Sequence, residues 1–222
     1  MRAERCPKRG TLQFSQAMVS ISQIQPHDTI RHIRRVQIIT IIWMIIEAAV
    51  SLSAASIARS PALLGFGGDS AIELLSAVVV LWRFKTLNGR DGAEKRAAQI
   101  TGALLFMLAA YVAGIAVTTL LGHTDPKPSY LGIAILIGAL TIMPCLAAQK
   151  QRLSAATGSA ALRADAAQSS LCAYLSLVAL LGLLINALWH VPWADPVAAL
   201  ALTPLISWEG SQTIRGKACG CC

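Results

Sequence analysis

Six stretches of roughly 20 residues, about 36–58, 62–82, 98–121, 130–148, 160–187 and 194–212, are apolar enough to cross a bilayer and follow one another with only short connections. Runs of this kind leave few structural options. In hydrocarbon every backbone N–H and C=O must find its partner within the segment, and helices satisfy that condition. The expected fold is therefore all-α: a polytopic membrane protein with six transmembrane helices. Composition agrees, with 55% hydrophobic and 14% charged residues and a mean hydropathy of +0.59, outside the range of ordinary soluble domains.

Orientation follows from Lys and Arg, which stay on the cytoplasmic side of a membrane. Of the 19 basic residues, all but Arg59 and Lys127 fall on one side of the six-span layout. Both termini are thus expected in the cytoplasm, with the chain a multi-pass protein of the cell's inner (plasma) membrane. The layout divides into a polar, basic tail over 1–34, a transmembrane domain over 35–213 and a Cys-rich tail over 214–222. The net charge of +8 reflects this orientation. No basic patch interleaved with aromatics accompanies it, so a nucleic-acid partner is not expected. The opening residues lack the apolar stretch and small-residue cleavage site of a signal peptide, and Met18 is an alternative start.

Within the second span stand two acids, Asp69 and Glu73. One ionised side chain near the centre of a membrane helix costs about 2.5–3.5 kcal/mol. Spacing of i and i+4 places both carboxylates on one helix face about 6 Å apart, where they repel unless a cation or a proton lies between them. The pair reads as a metal or proton site, beside the plainer reading of two protonated acids bonded to a neighbouring helix. In the fifth span Asp165, Gln168 and Cys172 share a face, and helix rise places Gln168 and Cys172 within roughly two turns of the depth of the acid pair.

These residues resemble the cation diffusion facilitator, or cation efflux, family of six-helix exporters that exchange a divalent cation for protons. The likeness covers about residues 35–215 and rests on Asp69-Ser-Ala-Ile-Glu73, on Ala164-Asp165-Ala166 at the start of the fifth span, and on Trp193-Ala194-Asp195-Pro196 before the sixth. It implies a tetrahedral metal held between the second and fifth helices by Asp69, Glu73, Gln168 and Cys172. The family carries His-x-x-x-Asp where this chain has Gln168 and Cys172. Glutamine is a weak neutral oxygen donor and cysteine a soft thiolate, so zinc is the first expected cargo and cadmium or lead the next, ahead of manganese. The family also commonly has a cytoplasmic metal-binding and dimerising domain after the sixth helix, whereas this chain ends within about ten residues of it. Any homodimer is therefore expected to form through the transmembrane helices.

None of the six cysteines falls in an outer loop, so reduced thiols rather than disulfides are expected. Cys219, Cys221 and Cys222 could collect a soft ion or be incidental to a tail. Cys145 reads as a packed thiol. Glu47, in the middle of the first span, reads equally as a proton carrier or as a partner for a polar group on another helix. Asp165 could attract cations or anchor a hydrogen bond to the adjoining helix. Asp195 precedes Pro196, the pattern of an N-cap aspartate and first-turn proline, and is expected to cap the sixth helix. Pro204 is expected to kink that helix, and Glu209 near its inner end needs no special role. His123 and His190 read as solvated loop residues.

The sequence thus points to a non-enzymatic, proton-coupled exporter of a divalent metal, with metal, protons and membrane lipid as partners and no bound cofactor. No G-x-x-x-x-G-K-[ST] loop is present, so an ion gradient rather than ATP is the expected drive. A non-transporting sensor or scaffold is the alternative. A membrane thiol oxidoreductase is disfavoured, since no cysteine pair lies near the outer face.

Overall fold

A computed structural model describes residues 26–85, 91–122, 125–158 and 160–215. Among these residues the regular elements are six α-helices: α1 (Pro26–Ala58), α2 (Pro61–Lys85), α3 (Asp91–Leu120), α4 (Tyr130–Thr157), α5 (Ala160–Trp189) and α6 (Ala194–Ile214). Each apolar run becomes one helix, and most helices overshoot their runs. A helix makes its backbone bonds internally, so it continues past the apolar boundary until a cap or a turn ends it. The tail residues Cys219, Cys221 and Cys222, together with Met18 and His123, lie outside the described residues.

The chain up to Arg35 forms one unit and the chain from Val36 another. The first is described only from Pro26, and Arg31, Arg34 and Arg35 on it are exposed. In the second, the most extensive packing joins α4 to α5 and α3 to α6, while α6 also meets α5 and α2, and α2 also meets α3 and α5. Phe66, Leu105, Val112, Leu136, Leu175 and Leu202 fill the shared core.

The distribution of polarity is inverted relative to a soluble domain. Ile39, Ile42, Met107, Tyr111, Leu181 and Leu188 are exposed, whereas Glu47, Asp69, Glu73, Lys150 and Glu209 are buried. In water the reverse holds for charged residues. Among the described residues four helices, over Arg31–Ala58, Gln99–Leu120, Tyr130–Thr157 and Asp165–Trp189, are long and apolar enough to cross a membrane. An apolar exterior with ionisable groups turned inward is the arrangement that hydrocarbon imposes.

Local signals set the helix ends. Ser129 caps α4 by accepting the Gly132 N–H at 3.1 Å, and Gly158 closes it with φ of 66°, a left-handed conformation that suits glycine. Ser60 caps α2 by accepting the Leu63 N–H at 3.1 Å, ahead of Pro61 in the first helical position. Asp195 departs from expectation. It lies inside the first turn of α6, which has no side-chain cap, and its Oδ1 accepts from the Ser60 hydroxyl at 3.0 Å and the Ala62 N–H at 3.3 Å. Asp195 therefore serves the start of α2 rather than of its own helix, because the open N–H groups it can reach belong to the neighbour.

Where α3 crosses α6, the backbones touch. A Cβ on Gly102 would stand 2.7 Å from the Gly210 carbonyl oxygen, and one on Gly210 3.1 Å from that of Gly102. This glycine pair brings α6 close to its neighbours at the level of Glu209.

Candidate metal centre

The acid pair on α2 lies inside the helix bundle. Asp69 is 0% exposed and Glu73 5%. The spacing of four places both on one face, and that face meets α6, from which Glu209 joins them. Carboxylate oxygens of Asp69, Glu73 and Glu209 all lie within 4.8 Å of one another. Glu209 is 5% exposed, so the expectation of an interfacial position is corrected and the side chain lies inside the bundle. Its position near the end of the apolar run suggested a headgroup location, but α6 runs alongside α2 and turns it inward.

The two α5 residues are divided between neighbours. Gln168 shares a hydrogen bond with Glu73, which also hydrogen-bonds Glu209. Cys172, one turn further along α5, is buried and donates its thiol proton to Glu47 Oε1 at 3.2 Å. Cys172 therefore stands beside, and not within, the group of three acids. Glu47 Oε1 also accepts from the Ser70 hydroxyl at 2.6 Å, and the Ser51 hydroxyl bonds to the Glu47 carbonyl. Glu47 thus has polar partners on two other helices, Ser70 on α2 and Cys172 on α5. Gly67 permits this approach of α1 to α2, since a Cβ there would strike the Ser51 hydroxyl and stand 3.1 Å from the Leu52 nitrogen.

Hydrogen bonding leaves a definite gap. Both carboxylate oxygens of Asp69 are buried without a partner, as is Oε2 of Glu47. A buried acceptor left unpaired costs about 1–3 kcal/mol, and more where charge is involved. Two carboxyl groups as close as Glu73 and Glu209 require a proton or a cation between them. Oxygen ligands, burial and unmet acceptors are the makings of a cation site.

A second buried cluster lies where α4, α5 and α1 meet. Lys150 Nζ donates to Asp165 Oδ1 at 2.9 Å and to the Ser169 hydroxyl at 2.9 Å, and Gln37 Nε2 donates to Asp165 Oδ2 at 2.9 Å. Lys150 is wholly buried, while the Asp165 side chain keeps 30% of its exposure. The apolar run of the fourth span stops short of Lys150, but α4 continues through it and turns it onto α5. Asp165 makes hydrogen bonds to both adjoining helices, α4 and α1. Lys150 is a fully buried basic side chain, and its charge is paired with Asp165. Of the remaining candidates, Cys145 is exposed on α4, which corrects the expectation of a packed thiol, and His190 is exposed beyond α5.

A helical bundle with an apolar exterior and buried acids is the arrangement of a polytopic membrane protein with a candidate cation site. Residues 37–217 match the cation efflux transmembrane domain, which covers most of the chain. The protein belongs to the cation efflux family, whose members transport metal cations. It is also 27% identical over 177 residues to an uncharacterised transporter of Synechocystis sp. (strain ATCC 27184 / PCC 6803 / Kazusa), a match covering 75% of this chain and 56% of that protein. The chain thus spans about half the length of the curated relative it matches.

Proposed function

We propose that the protein exports a divalent metal cation in exchange for protons, with zinc the first cargo and cadmium or lead the next. The observation that carries this reading is Asp69, wholly buried on an apolar helix with both carboxylate oxygens unpartnered, beside Glu73. Asp69 and Glu73 take the metal, Gln168 offers a neutral oxygen and Cys172 a thiolate from the facing helix. All six helices cross the membrane with both termini in the cytoplasm, and copies pair through their lipid-facing helices.

Carboxylates and thiols coordinate only when deprotonated, so protons and metal compete for the same atoms. When the site faces the cytoplasm the metal displaces protons from it. When it faces the more acidic outer side protons return and the metal leaves. The proton on Cys172 already points at Glu47, which makes Glu47 the nearest acceptor when the thiol becomes a ligand.

Uptake of zinc, cadmium, lead and manganese into reconstituted vesicles under an imposed pH gradient tests this reading. Asp69→Asn should abolish transport of every ion, and Cys172→Ser should cut cadmium and lead more than zinc. If the parent moves no ion, or both variants match it, a non-transporting sensor or scaffold replaces the exporter.

A further inference from the structure

We infer that Glu209 on α6 is a third acidic ligand of the transported cation, so that the site is built by α2, α5 and α6 together. This rests on the metal-transport reading above and adds a residue and a helix to it. Two independent observations support it. The first is convergence: oxygens of Glu209, Asp69 and Glu73 lie within 4.8 Å of one another. An ion bound by oxygens at about 2.1–2.4 Å can bridge ligand atoms up to about 4.2–4.8 Å apart, so small side-chain rotations bring all three into one shell. The second is the state of Asp69, fully buried with both oxygens unpartnered in the middle of that group. A group of acids that had only to satisfy itself would place its shared hydrogen bonds there. Instead they fall on Glu73, which bonds Glu209 and Gln168 and leaves the Asp69 side of the cluster open.

Chemistry explains why the third carboxylate is needed. Gln168 is neutral and Cys172 is turned to Glu47, so α5 presents no anionic oxygen to the pair on α2. With Asp69 and Glu73 alone, a divalent cation would have two oxygen anions and a weak amide. Glu209 adds a hard anionic donor from α6. Three carboxylates suit zinc and also manganese, which gains little from a thiolate. The prediction that distinguishes this site from one centred on Cys172 is therefore that manganese binds, and that its binding depends on Glu209 more than on Cys172.

The test is equilibrium binding of Zn²⁺ and of Mn²⁺ to the full chain in lipid nanodiscs, for the parent and for Asp69→Asn, Glu209→Gln, Glu209→Asp and Cys172→Ser. Losing an outer-shell partner of a metal typically costs about 10–100-fold in affinity, so loss of a ligand should reach or exceed the top of that range. Glu209→Gln keeps the hydrogen bond to Glu73 but not the charge, and should weaken both ions about 100-fold or more. Cys172→Ser should weaken manganese binding far less than Glu209→Gln does. X-ray absorption at the zinc edge should show fewer oxygen neighbours in Glu209→Gln than in the parent. If Glu209→Gln binds both ions like the parent while Asp69→Asn does not, Glu209 is not a ligand and the metal-site reading survives. If Asp69→Asn also binds like the parent, both readings fall. Should Glu209→Gln not fold, Glu209→Asp decides: its shorter side chain must lower affinity if it coordinates, and unchanged affinity overturns the inference.

Discussion

Asp165 and Asp69 are both acids on helices of an apolar bundle, and they differ in what neutralises them. Asp165 has a resident ammonium, Lys150, with Gln37 on its second oxygen and Ser169 on the same lysine. Asp69 has other acids as neighbours and no partner on either oxygen. The first cluster satisfies itself, and such an arrangement serves to hold helices together. The second has no such partner, and on the proposed reading the transported cation supplies one. The two clusters thus differ in whether a fixed counter-charge is built in.

Breaking the satisfied cluster gives the largest expected effect on stability. Asp165→Asn leaves Lys150 charged, buried and without its carboxylate, and should lower unfolding stability by about 3–5 kcal/mol. Replacing both partners with Met should restore most of that loss, because a buried ion pair is often no better than an apolar pair of similar volume. Denaturant unfolding in a mild detergent measures both. A double variant as unstable as Asp165→Asn would show that the pair does more than cancel charge.

The open cluster should behave in the opposite way, gaining stability from outside. Zinc at about 100 times its dissociation constant should stabilise the parent by about 2.7 kcal/mol, following mass action. Asp69→Asn should lose this increment, and the double Met variant at 150 and 165 should keep it. Thermal unfolding with and without zinc reads the difference. Equal shifts in the parent and in Asp69→Asn would place the cation elsewhere.

A smaller effect sharpens the role of α6. Gly102→Ala introduces a Cβ against the Gly210 carbonyl, which should cost about 1–3 kcal/mol through overpacking. By shifting α6 it should also weaken zinc binding, whereas Asp165→Asn should leave binding unchanged once its lower stability is allowed for. Titrations of the two variants with zinc distinguish them.

Much of this contrast was visible in the sequence, and the parts that were not share a cause. Apolar runs reported the helices because hydrocarbon leaves no other fold for them, and the four-residue spacing reported the Asp69 and Glu73 face. Glu209 escaped because its place at the end of a run says nothing about which neighbour the helix meets. Lys150 escaped because the apolar run stops before it while the helix does not. Asp195 carried the pattern of a cap and is one, for a different helix. In each case the missing information was tertiary: a periodic pattern shows which residues share a face but not what that face touches. A Lys spaced to meet Asp165 across the α4–α5 turn was the signal available for the satisfied cluster. No comparable local signal existed for Glu209, which lies far from Asp69 in the chain.

The contact between Asp195 and the start of α2 has a consequence for length. From Ser60 to Glu73 is 13 residues along α2, and from Asp195 to Glu209 is 14 along α6, each about 20 Å of helix. The two helices therefore run in the same direction and are fastened at two levels the same distance apart, like rails joined by two sleepers. Adding or deleting one residue between Asp195 and Glu209 would swing the lower acid by about 100° around its helix while the upper fastening stayed in place. The spacing of these two acids on α6 is thus measured out by the length of α2.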